Sequence, residues 1–360
     1  MNTDQPDRPA LCPDYVTEGQ FLAWPLAVHG ECDPIEPDSA RIGALEAAPD
    51  GRLVWGATRG KRCHIFAATF KGAAGGIVDT GTLPHNPDDV ALLPLPPGHP
   101  LAANGSHTVL AAASSGHQFS IWRQSFNVPR DAIQEPGFAH PQPQCIIPQT
   151  HGRCLGMALQ NNAVLCLTTK GLQRLNEEPP KLVQCTPPRR NAPPPAGRLA
   201  MLGHCAWWID AQGDLNGVNK DNTDCPWRPH LCGSPENTLL IAGPAGRLIA
   251  AQNDGSVLII APKERRVEFA VTAPLPQIQC LAPLPDGRIY GFCGSGIGHF
   301  FRIDLHTQTC TALGAVATAL GTHRYAFAFG CATVTADGVV LFGEDDRGGH
   351  LWTFFPPLAH

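Results

Sequence analysis

The sequence predicts an all-β fold in which a repeated unit of four short antiparallel strands closes into a ring. Three observations carry that prediction. The 360 residues include 37 glycines and 36 prolines, and only 16% are charged. Long helices need charged or straight-chain residues on their wet faces, and glycine and proline interrupt them. Apolar residues make up 43% of the chain and fall in short runs of strand length. Such runs supply a core while arguing against a membrane span or a disordered tract. Finally, segments of the chain resemble one another.

Three copies of the unit align well. They are APDGRLVWGATRGKRCHIFAATF (Ala48–Phe70), LPDGRIYGFCGSGIGHFFRIDL (Leu284–Leu305) and TADGVVLFGEDDRGGHLWTFF (Thr335–Phe355). Each has an Asp-Gly turn, an apolar strand, a glycine-rich loop, a histidine and a second apolar strand. The step from Gly51 to His64 is 13 residues, and those from Gly287 to His299 and from Gly338 to His350 are 12. Gly105 and His117, in NGSHTVLAAASSGHQFSIW, are again 12 apart. PAGRLIAAQNDGSVLIIAP is a further copy with a shorter loop after Gly246. Asp-Gly offers the positive φ of a tight hairpin, and the flanking Val, Ile, Leu, Phe and Trp suit strands buried on two faces. A further strand precedes each turn (RIGALEAA, IQCLAPL, GCATVT), and a fourth follows the histidine strand (GGIVDTG, TCTALG). One four-stranded meander cannot bury both of its faces alone, so the units must stack.

In chain order, residues 1–19 form a polar extension, and 20–360 a single domain. The apolar stretch 20–28, QFLAWPLAV, belongs to no unit. The units cover about 41–82, 88–130, 145–187, 197–224, 237–274, 278–316 and 326–355. Two of them are less regular, one folded around Asn162 and one with its hairpin near Cys205. The marks Gly51, Gly105, Asn162, Cys205, Gly246, Gly287 and Gly338 are spaced by 54, 57, 43, 41, 41 and 51 residues. The last unit offers three strands only: FGCATVT, VVLFG and HLWTFF. Phe21–Val28 is expected to supply the fourth by pairing with Leu351–Phe355, which removes two exposed edges. A six-unit ring, with the Cys205 region as an insertion, is the alternative. Pro179–Pro180, Pro193–Pro195 and Pro356–Pro357 read as turns or rigid surface loops.

Seven sheets of this kind resemble a seven-bladed β-propeller, similar in style to WD40-like and quinoprotein-like repeats. The resemblance runs from about Arg41 to Phe355. The Gly-His and Trp-Asp dipeptides of WD40 repeats proper do not recur, since Gly298–His299 and Gly349–His350 fall elsewhere in the unit; no specific family is assigned. Propellers host enzymes, scaffolds and ligand binders, so the resemblance implies a fold and leaves function open.

The formal charge is −5. No basic stripe is present to neutralise phosphates, which argues against nucleic acid, and nothing points to a membrane. The opening MNTDQPDRPALCPDY lacks a cationic start and an apolar core, so a cytoplasmic location is expected. The 14 cysteines are scattered singly, with Cys225 and Cys232 the nearest pair. No C-x-x-C pair supports a zinc ribbon or a thioredoxin motif, and buried free thiols without disulfides are expected.

In a propeller, loops joining the second and third strands share one face with the inter-blade loops. That face gathers Arg59, Lys61, Arg62, His117, Lys170, Asn253, Asp254, Ser295, Glu344, Asp345, Asp346 and Arg347 from the units. The loop LGTHRYAF adds His323, Arg324 and Tyr325. Arg59, His323, Arg324, Tyr325 and Asp345 are the candidates for ligand contact, because repeat packing gives no reason for them. Such a mixed rim suits a polar or acidic ligand. The recurrent His64, His299 and His350 read first as packing residues. Alternatively they could hold Zn²⁺ or Mn²⁺ with Asp345 or Asp346. GFCGSGIG opens no helix and so is a poor dinucleotide loop. Cys293 with His299 as a thiol–imidazole pair, and an outward indole of Trp207–Trp208 as a sugar platform, are weaker options. No nucleophile elbow is present.

Two function classes follow. One is a non-catalytic propeller that presents its rim to a protein partner or a small polar ligand and needs no cofactor. The other is a carbohydrate-active propeller enzyme, such as a lyase on acidic sugars, using rim His, Tyr and Arg with a divalent metal.

Overall fold

A computed structural model describes residues 16, 18–26, 35–71, 74–126, 142–185, 193–221, 223–295, 298–318, 324–346 and 349–358. Seven antiparallel sheets stand around one axis. Blade 1 comprises Arg41–Ala47, Leu53–Arg59, Cys63–Lys71 and Ala74–Leu83, paired in that order. Blade 2 comprises Asp89–Leu95, His107–Ser115, Gln118–Phe126 and Gln144–His151. Blade 3 comprises Cys154–Gln160, Ala163–Thr168, Gly171–Glu177 and Pro180–Gln184. Blade 4 has three strands, Ala200–Leu202, Cys205–Ile209 and Leu215–Val218. Blade 5 comprises Leu239–Ala242, Leu248–Ala251, Ser256–Ala261 and Arg266–Thr272. Blade 6 comprises Ile278–Pro283, Arg288–Cys293, His299–Asp304 and Thr309–Ala315. Blade 7 joins the chain ends, in the order Gln20–Pro25, His350–Phe355, Val340–Glu344 and Phe329–Val334. The first strand of each blade, which in blade 7 is Phe329–Val334, touches the corresponding strands of both neighbours, including blade 7 against blade 1, so these strands form a closed inner ring. The six-unit alternative is thereby excluded.

Closure follows the expected pairing. Gln20 lies opposite Phe355 and Pro25 opposite His350. Leu26 N–H extends the ladder to Gly349 O at 3.1 Å, while Val28 lies outside the described residues. Phe21 packs edge-on against Phe300 of blade 6, with centroids 5.0 Å apart, and 4.6 Å from Phe354. Trp24 Nε1 donates to Thr353 Oγ1 at 3.1 Å.

The turn glycines Gly51, Gly287 and Gly338 have φ of +67°, +93° and +83°, as the Asp-Gly hairpins require. Side chains then alternate between the two faces. Leu53, Trp55 and Ala57 pack toward blade 2, and Val54 packs toward blade 7. Each of the seven apolar clusters spans one blade-to-blade interface. The aromatic one joins blades 6 and 7 through Tyr290, Phe292, Phe300, Phe329, Phe342, Trp352 and Phe354, each 0–1% exposed. A second repeated device is a strand glycine under the ring of its paired residue. Gly56 faces Phe66, Gly217 faces Trp207 and Gly291 faces Phe301. A Cβ would come within 2.0, 2.6 and 2.4 Å of those rings, so only glycine lets the aromatics lie flat.

Two boundaries differ from expectation. The fourth strand of blade 2, Gln144–His151, begins beyond the expected end at residue 130 and takes the stretch assigned to the start of blade 3. Blade 4 lacks a regular fourth strand. Its edge is covered instead by residues 223–231, whose prolines, Pro226 and Pro229, suit an irregular edge. Cys225 N–H donates to Gly217 O at 2.8 Å, Asn219 N–H to Thr223 O at 3.0 Å and Leu215 N–H to Pro229 O at 2.9 Å. The edge is therefore satisfied without a ladder open to another chain.

Candidate functional site

The rim is shaped by bulges in the inner strands. Pairing slips between Ile42 and Ala44 in blade 1, between Ile278 and Cys280 in blade 6 and between Phe329 and Cys331 in blade 7. A bulge re-aims the side chains around it. The extra residues are Gly43, Gln279 and Gly330. Gln279 uses its position to cross to the next blade, where its Oε1 accepts from Phe329 N–H at 2.7 Å. The two glycines make room. A Cβ on Gly43 would lie 2.7 Å from Arg59 Cδ, and one on Gly330 would lie 2.9 Å from Asp345 Cβ.

Into that room fold two of the candidate residues. Arg59 ends the second strand of blade 1 and lies opposite Arg41 in register. Like charges directly opposite repel, and Asp345 of blade 7 resolves the conflict. Arg41 Nε donates to Asp345 Oδ1 at 3.0 Å, and Arg59 Nη2 donates to Asp345 Oδ2. Arg59 Nη1 also reaches Asp88 O, on the connection to blade 2, at 3.3 Å. One carboxylate between two guanidiniums thus clips blade 7 to blade 1, and Arg59 carries the link on toward blade 2. Arg41 carried no signal in the sequence beyond opening a strand. The backbone of Arg324–Tyr325 pairs with Ala317–Thr318 on the connection from blade 6 to blade 7. His323 lies outside the described residues.

The recurrent histidines keep to their own blades. His64 is 8% exposed, and its Nδ1 lies 2.7 Å from Asp79 Oδ2 on the neighbouring outer strand. His350 Nδ1 is 3.0 Å from Oε2 of the buried Glu344, which also accepts from His350 N–H at 3.2 Å. At His299 the Cys293 thiol donates to the backbone carbonyl at 3.5 Å. Among the described residues, no three His, Cys, Asp or Glu side chains are grouped to hold a metal ion. His64, His299 and His350 lie at the start of the third strands of blades 1, 6 and 7, one to each blade. Trp207 is buried over Gly217, while Trp208 is half-buried against the blade 3–blade 4 core.

The central channel holds a pair that sequence reasoning passed over. Glu46 lies on the inner strand of blade 1, and Arg198 just precedes that of blade 4, across the ring. Confinement among the inner strands pushes the Glu46 carboxyl up to about 7, and the Arg198 charge pulls it back. The same guanidinium acts on Cys331 of blade 7 and Cys280 of blade 6. Both side chains keep some surface open to the channel, while the strands packed around Glu46 strip its carboxyl of most of its solvent, which is what raises it.

No protein-family model matches the chain, and no curated protein matches it in sequence. Among solved structures, the WD40 β-propeller domain of Doa1 is similar, with a TM-score of 0.59 over 94% of this chain and 97% of that one. The two are 12% identical, so the likeness is one of fold. No helix among the described residues is long and apolar enough to cross a membrane.

Proposed function

We propose that this protein is a non-catalytic propeller that presents its second-to-third-strand face to a protein partner. The observation that carries this reading is that, in blades 1 and 2, the second-to-third-strand loop is held to the connection that enters the same blade. Lys61 N–H donates to Asp38 O at 3.0 Å, and Arg62 N–H to Ser39 Oγ at 3.0 Å. Asp88 N–H donates to Ser114 O at 2.7 Å, and Gly116 N–H to Asp88 Oδ2 at 2.7 Å. Loops fixed in this way lose little entropy on docking, which is what a recognition surface needs. The similarity in fold to a WD40 propeller supports the same reading.

The test is photo-crosslinking from one face at a time. A benzophenone amino acid is placed at Arg62 or His117 on the proposed face, and at Arg265 or His306 on the opposite one. Discrete protein adducts from the first pair and none from the second are expected. Adducts from the opposite face alone, or from neither, would refute the reading.

A further inference from the structure

A cleft of about 450 Å³ opens on this face at the junction of blades 1 and 2. It is lined by residues 82–84 at the end of the outer strand of blade 1, and by Lys61, Arg62, His85 and Asn86. We infer that this cleft is the docking site for an acidic segment of a protein partner, a stretch rich in aspartate and glutamate; the inference rests on the scaffold reading above.

Charge is the first argument. The molecule carries a formal −5, yet the lining holds the cations Lys61 and Arg62 and no carboxylate. Acids on the adjoining connections lie outside the lining. Asp88 accepts from Gly116 N–H, and Asp345 is held by Arg41 and Arg59. Asp38 lies 3.8 Å from Lys61 Nζ, but those side chains are 56% and 67% exposed, and a pair so open to water is readily exchanged.

Rigidity is the second argument. Gly60 has φ +140°, and a Cβ there would lie 2.1 Å from Asp38 O. The loop bearing Lys61 and Arg62 is thus seated against the turn at Pro37–Ser39. The opposite wall is seated too, because Ser115 Oγ donates to Asn86 O at 3.0 Å. Both walls stand ready before a ligand arrives.

The class of ligand follows from exposure. Lys61, Arg62, His85 and Asn86 all face solvent. A small anion is retained by groups that surround it. Two adjacent exposed cations on one fixed wall, facing a neutral polar wall, instead suit neighbouring carboxylates carried on one chain, each bound weakly and both together. Two cations in one cleft are too few to track a nucleic-acid backbone.

The experiment measures fluorescence anisotropy of the full chain with a labelled peptide of alternating glutamate and aspartate. A glutamine–asparagine peptide and an oligothymidylate serve as controls. Binding of the acidic peptide alone, weakened by added salt, is expected. Lys61→Glu with Arg62→Glu should weaken it about tenfold or more, equivalent to ~1.4 kcal/mol. The same reversal at Lys263 and Arg265, on the opposite face, should change it less than about twofold. Lys61→Gln with Arg62→Gln serves if the reversal fails to fold, and should also weaken binding. Equal loss in both reversals, tighter binding of the oligothymidylate or no binding of the acidic peptide would overturn the assignment. If the peptide fails while crosslinks still form from Arg62 and His117, only the acidic assignment falls; if both fail, the scaffold reading falls with it.

Discussion

Crowding around the channel raises the Glu46 carboxyl from its ordinary 4.5 to about 7, and the sign of that shift sets a pH dependence. Between those values the folded chain keeps a proton that the unfolded chain has lost. Stability from this group is fully present below the unfolded value and is lost as pH rises through the folded one. Glu46→Gln mimics the protonated form. It should raise the melting temperature at about pH 8 and leave it nearly unchanged at about pH 4, by thermal scans across that range. A larger gain at the acidic end would reverse the sign and refute the argument. The thiols behave by the same physics. Burial pushes Cys63 and Cys331 up to about 12 and holds Cys280 well above the ordinary range, and the hydrogen bond with Cys154, together with burial, does the same for Cys166. Cys154 and Cys166 lie 3.4 Å apart, but neither is open to solvent. Reactivity needs thiolate and access together. Alkylation of the native protein, read by mass spectrometry, should therefore modify the exposed Cys145 before any of these buried thiols.

At the scale of elements, the closing strand is secured at more than its ladder. Glu18, just before it, accepts from the Tyr290 hydroxyl and from Arg302 Nη1. Beyond the last strand, Pro357 O accepts from Arg288 Nη1 at 2.8 Å. Both ends of the chain are thus fastened to blade 6, next to the blade they complete. Phe21→Ala should cost about 3 kcal/mol in chemical denaturation, because it empties a place among packed rings. A cost near zero would mean that the strand pairs without packing. The pairing of this strand was legible because the seventh unit lacked a partner and QFLAWPLAV lacked a unit. The hairpins were legible because Asp-Gly has few other uses. Blade 4 was not. Its edge is covered by an irregular, proline-containing segment, and no periodicity marks such a segment. The inner-strand bulges were equally hidden, since one inserted residue alters pairing without altering composition.

For the whole molecule, the same distinction governs the site. A rim of loops at one face could be read from the strand order alone, with Lys61 and Arg62 in a second-to-third-strand connection and Arg59 and Asp345 beside two of them. Contacts between distant positions could not be read. Arg41 and Arg59 meet Asp345 from 304 and 286 residues away, and Glu46 feels Arg198 across the channel. Both depend on the ring being closed. Closure itself can be tested by deleting residues 1–26. The deletion bares the backbone edge of His350–Phe355 and removes Phe21 from the cluster that joins blades 6 and 7. An unpaired edge of this kind recruits another strand, usually from a second molecule. The truncated chain should melt at a lower temperature than the full chain. In sedimentation velocity it should also associate in a concentration-dependent way that the full chain does not show. A truncated chain with an unchanged melting temperature and no added association would show that blade-to-blade packing holds the ring without its closing strand.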